Sequence, residues 1–201
     1  MNNLSKDYQF TQDWFSRNIY IWEQYLKKLI NIPGIKMLEI GSWEGRSTCW
    51  LLENILTHVN ATITCIDTFE GSLEHKGYNQ QYIRSIEERF DFNITITGAS
   101  EKVQKIVGSS KDVLRTLPMQ NYDILYIDGS HLASDVLEDA VISWGLVKVG
   151  GIIIFDDYDF IFADNPAENT KVGIDAFMTT YSQKINWVYQ GYQVIVEKTA
   201  F

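Results

Sequence analysis

The apolar positions of this chain alternate between two rhythms. Short apolar runs at Lys36–Ile40 and Ile152–Phe155 predict buried strands, and Ala61–Ile66, Lys102–Val107 and Tyr122–Ile127 predict further strands. Between them, apolar residues recur at helical spacing. The helix opened by Gly45 carries Leu51, Leu52, Ile55, Leu56 and Val59, and Asn79–Phe90 carries Tyr82, Ile83, Ile86 and Phe90. Lys111–Leu117 is a short helix stopped by Pro118, and Ser134 is placed to cap a helix with Val136, Leu137, Ala140, Val141, Trp144 and Val147 on one face. A further helix spans Val172–Tyr181. Ahead of all these, Thr11–Ile30 has a stripe of Trp14, Phe15, Ile19, Trp22, Leu26, Leu29 and Ile30, which predicts a helix packed on the core, with Asp13 in its first turn. Lys184–Tyr189 and Tyr192–Glu197 alternate around Gly191 as an antiparallel hairpin.

Strand and helix thus alternate five times before the hairpin. Continuous apolar strands separated by amphipathic helices predict an α/β fold, a parallel sheet covered on both faces. Ligands of such sheets bind outside the carboxyl ends of the strands. Gly41, Asp67, Gly108, Asp128 and Asp156 stand at those ends.

Composition narrows the functional classes. The 201 residues carry 17 basic and 26 acidic side chains, a net charge of −9 that repels nucleic-acid phosphates. The apolar runs are far shorter than the ~20 residues of a bilayer span. Met1–Asp7 has no apolar signal core, so no export signal is expected. Cys49 and Cys65 match no ligand spacing and read as buried thiols of a reducing cytoplasm.

Candidate chemistry begins with Glu39-Ile40-Gly41-Ser42-Trp43-Glu44-Gly45-Arg46-Ser47-Thr48, a strand, a glycine turn and a helix start. Gly41 permits the turn, and Gly45 would let a helix N-terminus approach a ligand. The spacing is neither that of a dinucleotide fingerprint nor that of a P-loop. Asp67, roughly 20 residues further on, is placed to accept ribose hydroxyls, or else to cap the next segment.

These segments resemble the motifs of class I S-adenosylmethionine-dependent methyltransferases. Leu38–Thr48 is similar to the first motif and Cys65-Ile66-Asp67-Thr68-Phe69 to the second. Tyr122–His131, Gly150–Tyr158 and Val172–Phe177 resemble a bacterial subgroup that includes macrocin-type, metal-dependent sugar O-methyltransferases. The resemblance implies a Rossmann-like, doubly wound sheet of seven strands in the order 3-2-1-4-5-7-6, the last antiparallel, over residues 36–201, with residues 1–35 as an N-terminal helical cap. It implies that Glu39, Gly41, Ser42, Gly45 and Ser47 serve the methionine part of the cofactor, Asp67 the ribose, and Thr68, Phe69, Ser109 and Ser110 the nucleoside. Substrate choice would then lie in the N-terminal helix and in residues 159–171.

Asp128 and the Asp156-Asp157 pair end strands expected to be neighbours, ~4.8 Å apart. Three converging carboxylates repel one another, and a hard dication such as Mg²⁺ would relieve this. Such an ion would also acidify a substrate hydroxyl. Asp128 and His131 are the candidate catalytic residues: His131 as base, substrate contact or plain loop residue, Asp128 as metal ligand, as a contact to the cofactor amine or a substrate hydroxyl, or as the base where no metal is used. His58 and His75 lack such neighbours and are expected to face solvent. Tyr158, Phe160 and Phe162 suit a pocket wall, a lid or a homodimer interface. The leading expectation is a metal-assisted O-methyltransferase of a small-molecule hydroxyl. A metal-independent transferase to oxygen or nitrogen and a non-catalytic adenosyl-binding module are the alternatives.

Overall fold

A computed structural model describes residues 6–161 and 165–201. Phe162 and most of the Met1–Asp7 stretch lie outside the described residues. The sheet has seven strands: β1 (Lys36–Ile40), β2 (Thr62–Asp67), β3 (Val103–Val107), β4 (Tyr122–Ile127), β5 (Val147–Phe155), β6 (Ile185–Gln190) and β7 (Val194–Lys198). Their order is β3-β2-β1-β4-β5-β7-β6, as expected. β1 to β5 pair in parallel, while β7 runs antiparallel to both β5 and β6. The helices are α1 (Ile19–Tyr25), α2 (Arg46–Asn54), α3 (Gln80–Arg84), α4 (Ile86–Thr97), α5 (Ser110–Val113), α6 (Ala133–Trp144) and α7 (Thr170–Thr180). None among the described residues is long and apolar enough to cross a membrane.

The two-residue strand period divides the core. Met37, Ile124, Tyr126 and Ile154 join one apolar cluster with Trp22, Leu51 and Phe90 from α1, α2 and α4. Leu38, Ile40, Leu125, Ile127 and Phe155 point to the opposite face, against Val136 and Trp144 of α6 and Phe177 of α7. Phe15, Trp22 and Leu26 are buried in the first cluster, so the N-terminal segment packs directly on the sheet.

Several local expectations change. The helix expected over Thr11–Ile30 becomes a 3₁₀ turn (Ser16–Asn18), α1 and a second 3₁₀ turn (Lys27–Leu29). Asp13 precedes rather than occupies the first turn. Its carboxylate accepts from the Ser16 amide at 3.0 Å and binds the guanidinium of Arg46 at the start of α2, which ties this segment to α2. The helix expected over Asn79–Phe90 is split at Ser85, whose hydroxyl donates back to the Tyr82 carbonyl at 2.6 Å. It then continues to Thr97, because Ile86, Phe90 and Ile94 form a buried stripe. Ser134 does not cap α6. Leu132 holds that position, and its amide donates to the Ser130 hydroxyl at 3.3 Å. Val147, expected on the face of the preceding helix, instead starts β5, because α6 ends at Trp144; the Gly150-Gly151 pair lies within the strand.

Candidate active site at the strand ends

Register explains why the strand tips form one surface. Ile40 is level with Ile66 and Ile127, Ile127 with Phe155, and Asp67 with Val107. The residues just beyond are therefore brought to one edge. Gly41, Asp67, Gly108, Asp128 and Asp156 all line a single cavity of about 680 Å³. The tips are also stitched together, the Gly41 amide donating to the Ile66 carbonyl at 2.9 Å and the Asp128 amide to the Ile40 carbonyl at 2.8 Å. Gly41 has φ +82°, and a Cβ there would lie 1.9 Å from the Asp128 carbonyl oxygen. Only glycine lets β1 and β4 end so close together.

Around the β1 and β2 ends, Ser42, Ser47, Asp67 and Thr68 line the cavity, and Ser109 and Ser110 continue the wall beyond β3. Asp67 clamps two loops. One carboxylate oxygen accepts the amides of Ser42 and Trp43, both at 2.8 Å, and the other accepts that of Phe69 at 2.7 Å. A carboxylate has about four acceptor positions, so Asp67 keeps capacity for one further donor. Three residues assigned to this wall from the sequence do not line the cavity. Glu39 is fully buried beneath α2, where it accepts from Ser42 at 3.1 Å, from Ser47 at 2.5 Å, from Thr48, and from the Cys65 thiol at 3.4 Å. Burial raises its pKa against those hydrogen bonds. Gly45 caps α2 at φ +79°, where a Cβ would sit 3.0 Å from Phe90; its close approach is to a core ring. Phe69 is buried against Phe90.

At the β4 and β5 ends, Asp128, His131 and Asp157 each offer a donor atom within 4.8 Å of the others. His131 Nε2 lies 2.6 Å from Asp157, and its ring stacks on Phe160 at 4.4 Å. The Tyr192 hydroxyl donates to the other Asp157 oxygen at 2.6 Å, and the Arg17 guanidinium lies 3.6 Å from it. Burial alone would raise the Asp157 pKa, but His131, Tyr192 and Arg17 outweigh it and hold the carboxyl below its usual range. Asp156 lines the same cavity, yet its oxygens are occupied by Tyr126, by Gln193 at 2.7 Å, by Asn18 at 3.3 Å and by the Asp157 amide at 2.7 Å. Its pKa is pushed up to about 6, mainly by burial and then by Asp157. Burial, with Asp156 and Asp157 adding to it, raises Asp128 as well. The Tyr126 hydroxyl bridges Asp128, at 2.8 Å, and Asp156.

Gln12 and Arg17, which carried no sequence signal of their own, line the cavity, and so does Trp14, which was expected on the core stripe but is 45% exposed. His75, expected in solvent, is half-buried and stacks on Trp43 at 4.5 Å, lining the cavity. His58 is half-buried too, accepting from the Asn60 amide at 3.1 Å. Trp43, Phe69 and Asp157 are left-handed, with φ of 48°, 55° and 55°, in the loops after β1, β2 and β5. Strained non-glycine residues of this kind gather at functional sites.

Residues 38–158 match the family described as Methyltransferase domain. Uncharacterized protein R132 of Acanthamoeba polyphaga mimivirus is 29% identical over 159 residues, 73% of this chain and 63% of that protein. The chain therefore matches less than two thirds of that relative's length. The O-methyltransferase NovP superposes with a TM-score of 0.69 at 22% identity, over 92% of this chain and 80% of its own. TomG from Streptomyces achromogenes, an O-methyltransferase solved with S-adenosylmethionine, gives 0.66 at 16% identity over 92% and 80%. An O-methyltransferase from Bacillus cereus, solved with S-adenosylhomocysteine, gives 0.61 at 19% identity over 89% and 81%. These structural likenesses are of fold.

Proposed function

The chain belongs to the Methyltransferase domain family, and from that premise we propose that it moves a methyl group from S-adenosylmethionine to a hydroxyl of a polar small molecule, assisted by a divalent cation. The observation that carries this reading is the single cavity at the strand ends, with Asp67 at β2 and the Asp128, His131 and Asp157 group at β4 and β5. β2 and β5 are three strand spacings apart, ~14 Å, which leaves room for a nucleoside at one end and an acceptor at the other. The net charge of −9 favours a small acceptor over a nucleic acid. Free, buried Cys49 and Cys65 support a reducing compartment.

The donor supplies an electrophilic sulfonium methyl when bound; the chain's own task is binding and orientation. Gly41 leaves the β1 tip bare, Ser42 and Ser47, whose hydroxyl protons go to Glu39, keep acceptor lone pairs, and Asp67 keeps its spare acceptor position for a ribose hydroxyl. For the cation, Asp128, His131 and Asp157 form a fitting donor set. Asp156, the third acid expected from the sequence, is committed to its own hydrogen bonds. Two carboxylates suit Mg²⁺, and the imidazole extends the fit to Mn²⁺ or Fe²⁺. When bound there, the ion would lower the pKa of an acceptor hydroxyl. Tyr192 and Arg17 keep Asp157 ionised and aimed.

A second reading uses no cation. The 2.6 Å contact lets Asp157 orient His131 as a general base that takes the acceptor proton. Turnover measured after exhaustive chelation and again after cation addition separates the two. Loss and recovery support the first reading, and unchanged turnover supports the second. Under either, Asp157→Ala should cut turnover by about 100-fold or more while S-adenosylhomocysteine affinity stays within about twofold. Equal losses of both would contradict this division of labour.

A further inference from the structure

Tyr126 stands out among the buried positions of β4. It shares one face of the strand with Ile124, both are fully buried in the same apolar cluster, and its ring packs edge-on against Trp22 at 4.9 Å. Phenylalanine would fill that space without burying a hydroxyl, which costs free energy unless it is hydrogen-bonded. The Tyr126 hydroxyl reaches two acids at once: Asp128, through Oδ2 at 2.8 Å, and Asp156. One phenolic proton is thus shared between two carboxylates. The roles above leave this hydroxyl unused.

Asp156 is also fixed from other sides. Its Oδ2 accepts from Gln193 at 2.7 Å and from Asn18 at 3.3 Å, and its Oδ1 from the Asp157 amide at 2.7 Å. Gln193 is held in turn by the Trp22 indole at 2.8 Å. Tyr126 therefore ties Asp128 to a carboxylate that is locked in place. The terminal torsion of an aspartate is broad, so a hydrogen bond on one oxygen sets where the other points. We propose that Tyr126 is a positioning residue of the cation site: anchored on Asp156, its hydroxyl holds the Asp128 carboxylate at the angle that completes the donor set with His131 and Asp157. This rests on the cation reading above. It also gives Asp156 a task other than ligation, as the fixed link between Gln193 and Tyr126. Partners of this kind orient ligating groups, and losing one costs ~10–100-fold in metal affinity.

Calorimetric titration of the full chain with Mn²⁺, and separately with S-adenosylhomocysteine in the absence of added cation, tests this. Tyr126→Phe keeps the ring against Trp22 and removes only the hydroxyl. It should weaken Mn²⁺ binding by about tenfold or more while S-adenosylhomocysteine affinity stays within about twofold. A purely structural role would lower both together. Mn²⁺ affinity unmoved by Tyr126→Phe, or reduced no further than S-adenosylhomocysteine affinity, would overturn the proposal. If the unaltered chain binds S-adenosylhomocysteine but no Mn²⁺, the cation reading fails and this proposal fails with it. Should Tyr126→Phe not fold, Asp156→Asn decides, because its amide oxygen still accepts from the hydroxyl. A smaller loss of Mn²⁺ affinity than in Asp157→Asn is expected; an equal loss would make Asp156 a ligand and overturn the proposal.

Discussion

The Asp67 carboxylate receives three backbone amides from the loops after β1 and β2, so the acid that would hold a ribose also shapes the turn that would hold the rest of the ligand. Asp67→Ala should therefore weaken S-adenosylhomocysteine binding by more than one lost contact, by about 30-fold or more at ~2 kcal/mol; calorimetry reads this directly. Asp139 allows a pH test. Burial on α6 pushes its folded pKa up to about 6, above the ordinary 3.8, so between those pH values the native state keeps a proton that the unfolded chain releases. Stability from this group is present at low pH and is lost as pH rises from about 4 through about 6. Asp139→Asn should remove that loss, raising stability at pH 7 by up to ~3 kcal/mol and by little at pH 4, as thermal unfolding at the two pH values would show. The tip acids were legible because each ends an apolar run. Glu39 was legible in kind but misassigned in place: it alternates with Leu38 and Ile40 on a strand whose two faces are both covered, which turns it into the core rather than toward the cavity.

Among the elements, the N-terminal segment links core to site most closely. Trp22 is fully buried on the sheet, and its indole N–H donates to Gln193 at 2.8 Å; Gln193 in turn donates to Asp156. Five residues earlier in the chain, Arg17 lies over the Tyr192 ring at 3.8 Å. Trp22→Ala should cost ~3–5 kcal/mol and lower the melting temperature by about 10 °C, with turnover falling as Asp156 and Arg17 lose their support. Undiminished turnover in a destabilised variant would separate core from site. The apolar stripe of this segment was visible in the sequence, but its breakup was not. Asp13 and Ser85 each interrupt a helical pattern with one local side-chain hydrogen bond, and apolar periodicity does not register such competition. β1, β2, β4 and β5 were legible because burial on both faces makes them largely apolar runs, whereas the edge strand β3, VQKIV, has no buried residue.

At the scale of the molecule, parallel pairing in level register carries residues far apart in the chain to one edge, and the cavity there is the common ground of every role proposed. The order of strands followed from family resemblance and the alternation of elements. Which side chains of the loops face inward did not, because Trp43, Phe69 and Asp157 are themselves left-handed, which the pattern of apolar positions does not register. The most direct test is a crystal structure of the full chain grown with S-adenosylhomocysteine and Mg²⁺. The predicted result has the ribose on Asp67, the amino-acid part over Gly41, the sulfur facing Asp128 and His131, and the base against Ser109 and Ser110. A ligand seated elsewhere on the molecule, or a strand-end cavity left empty at saturating ligand, would contradict the account.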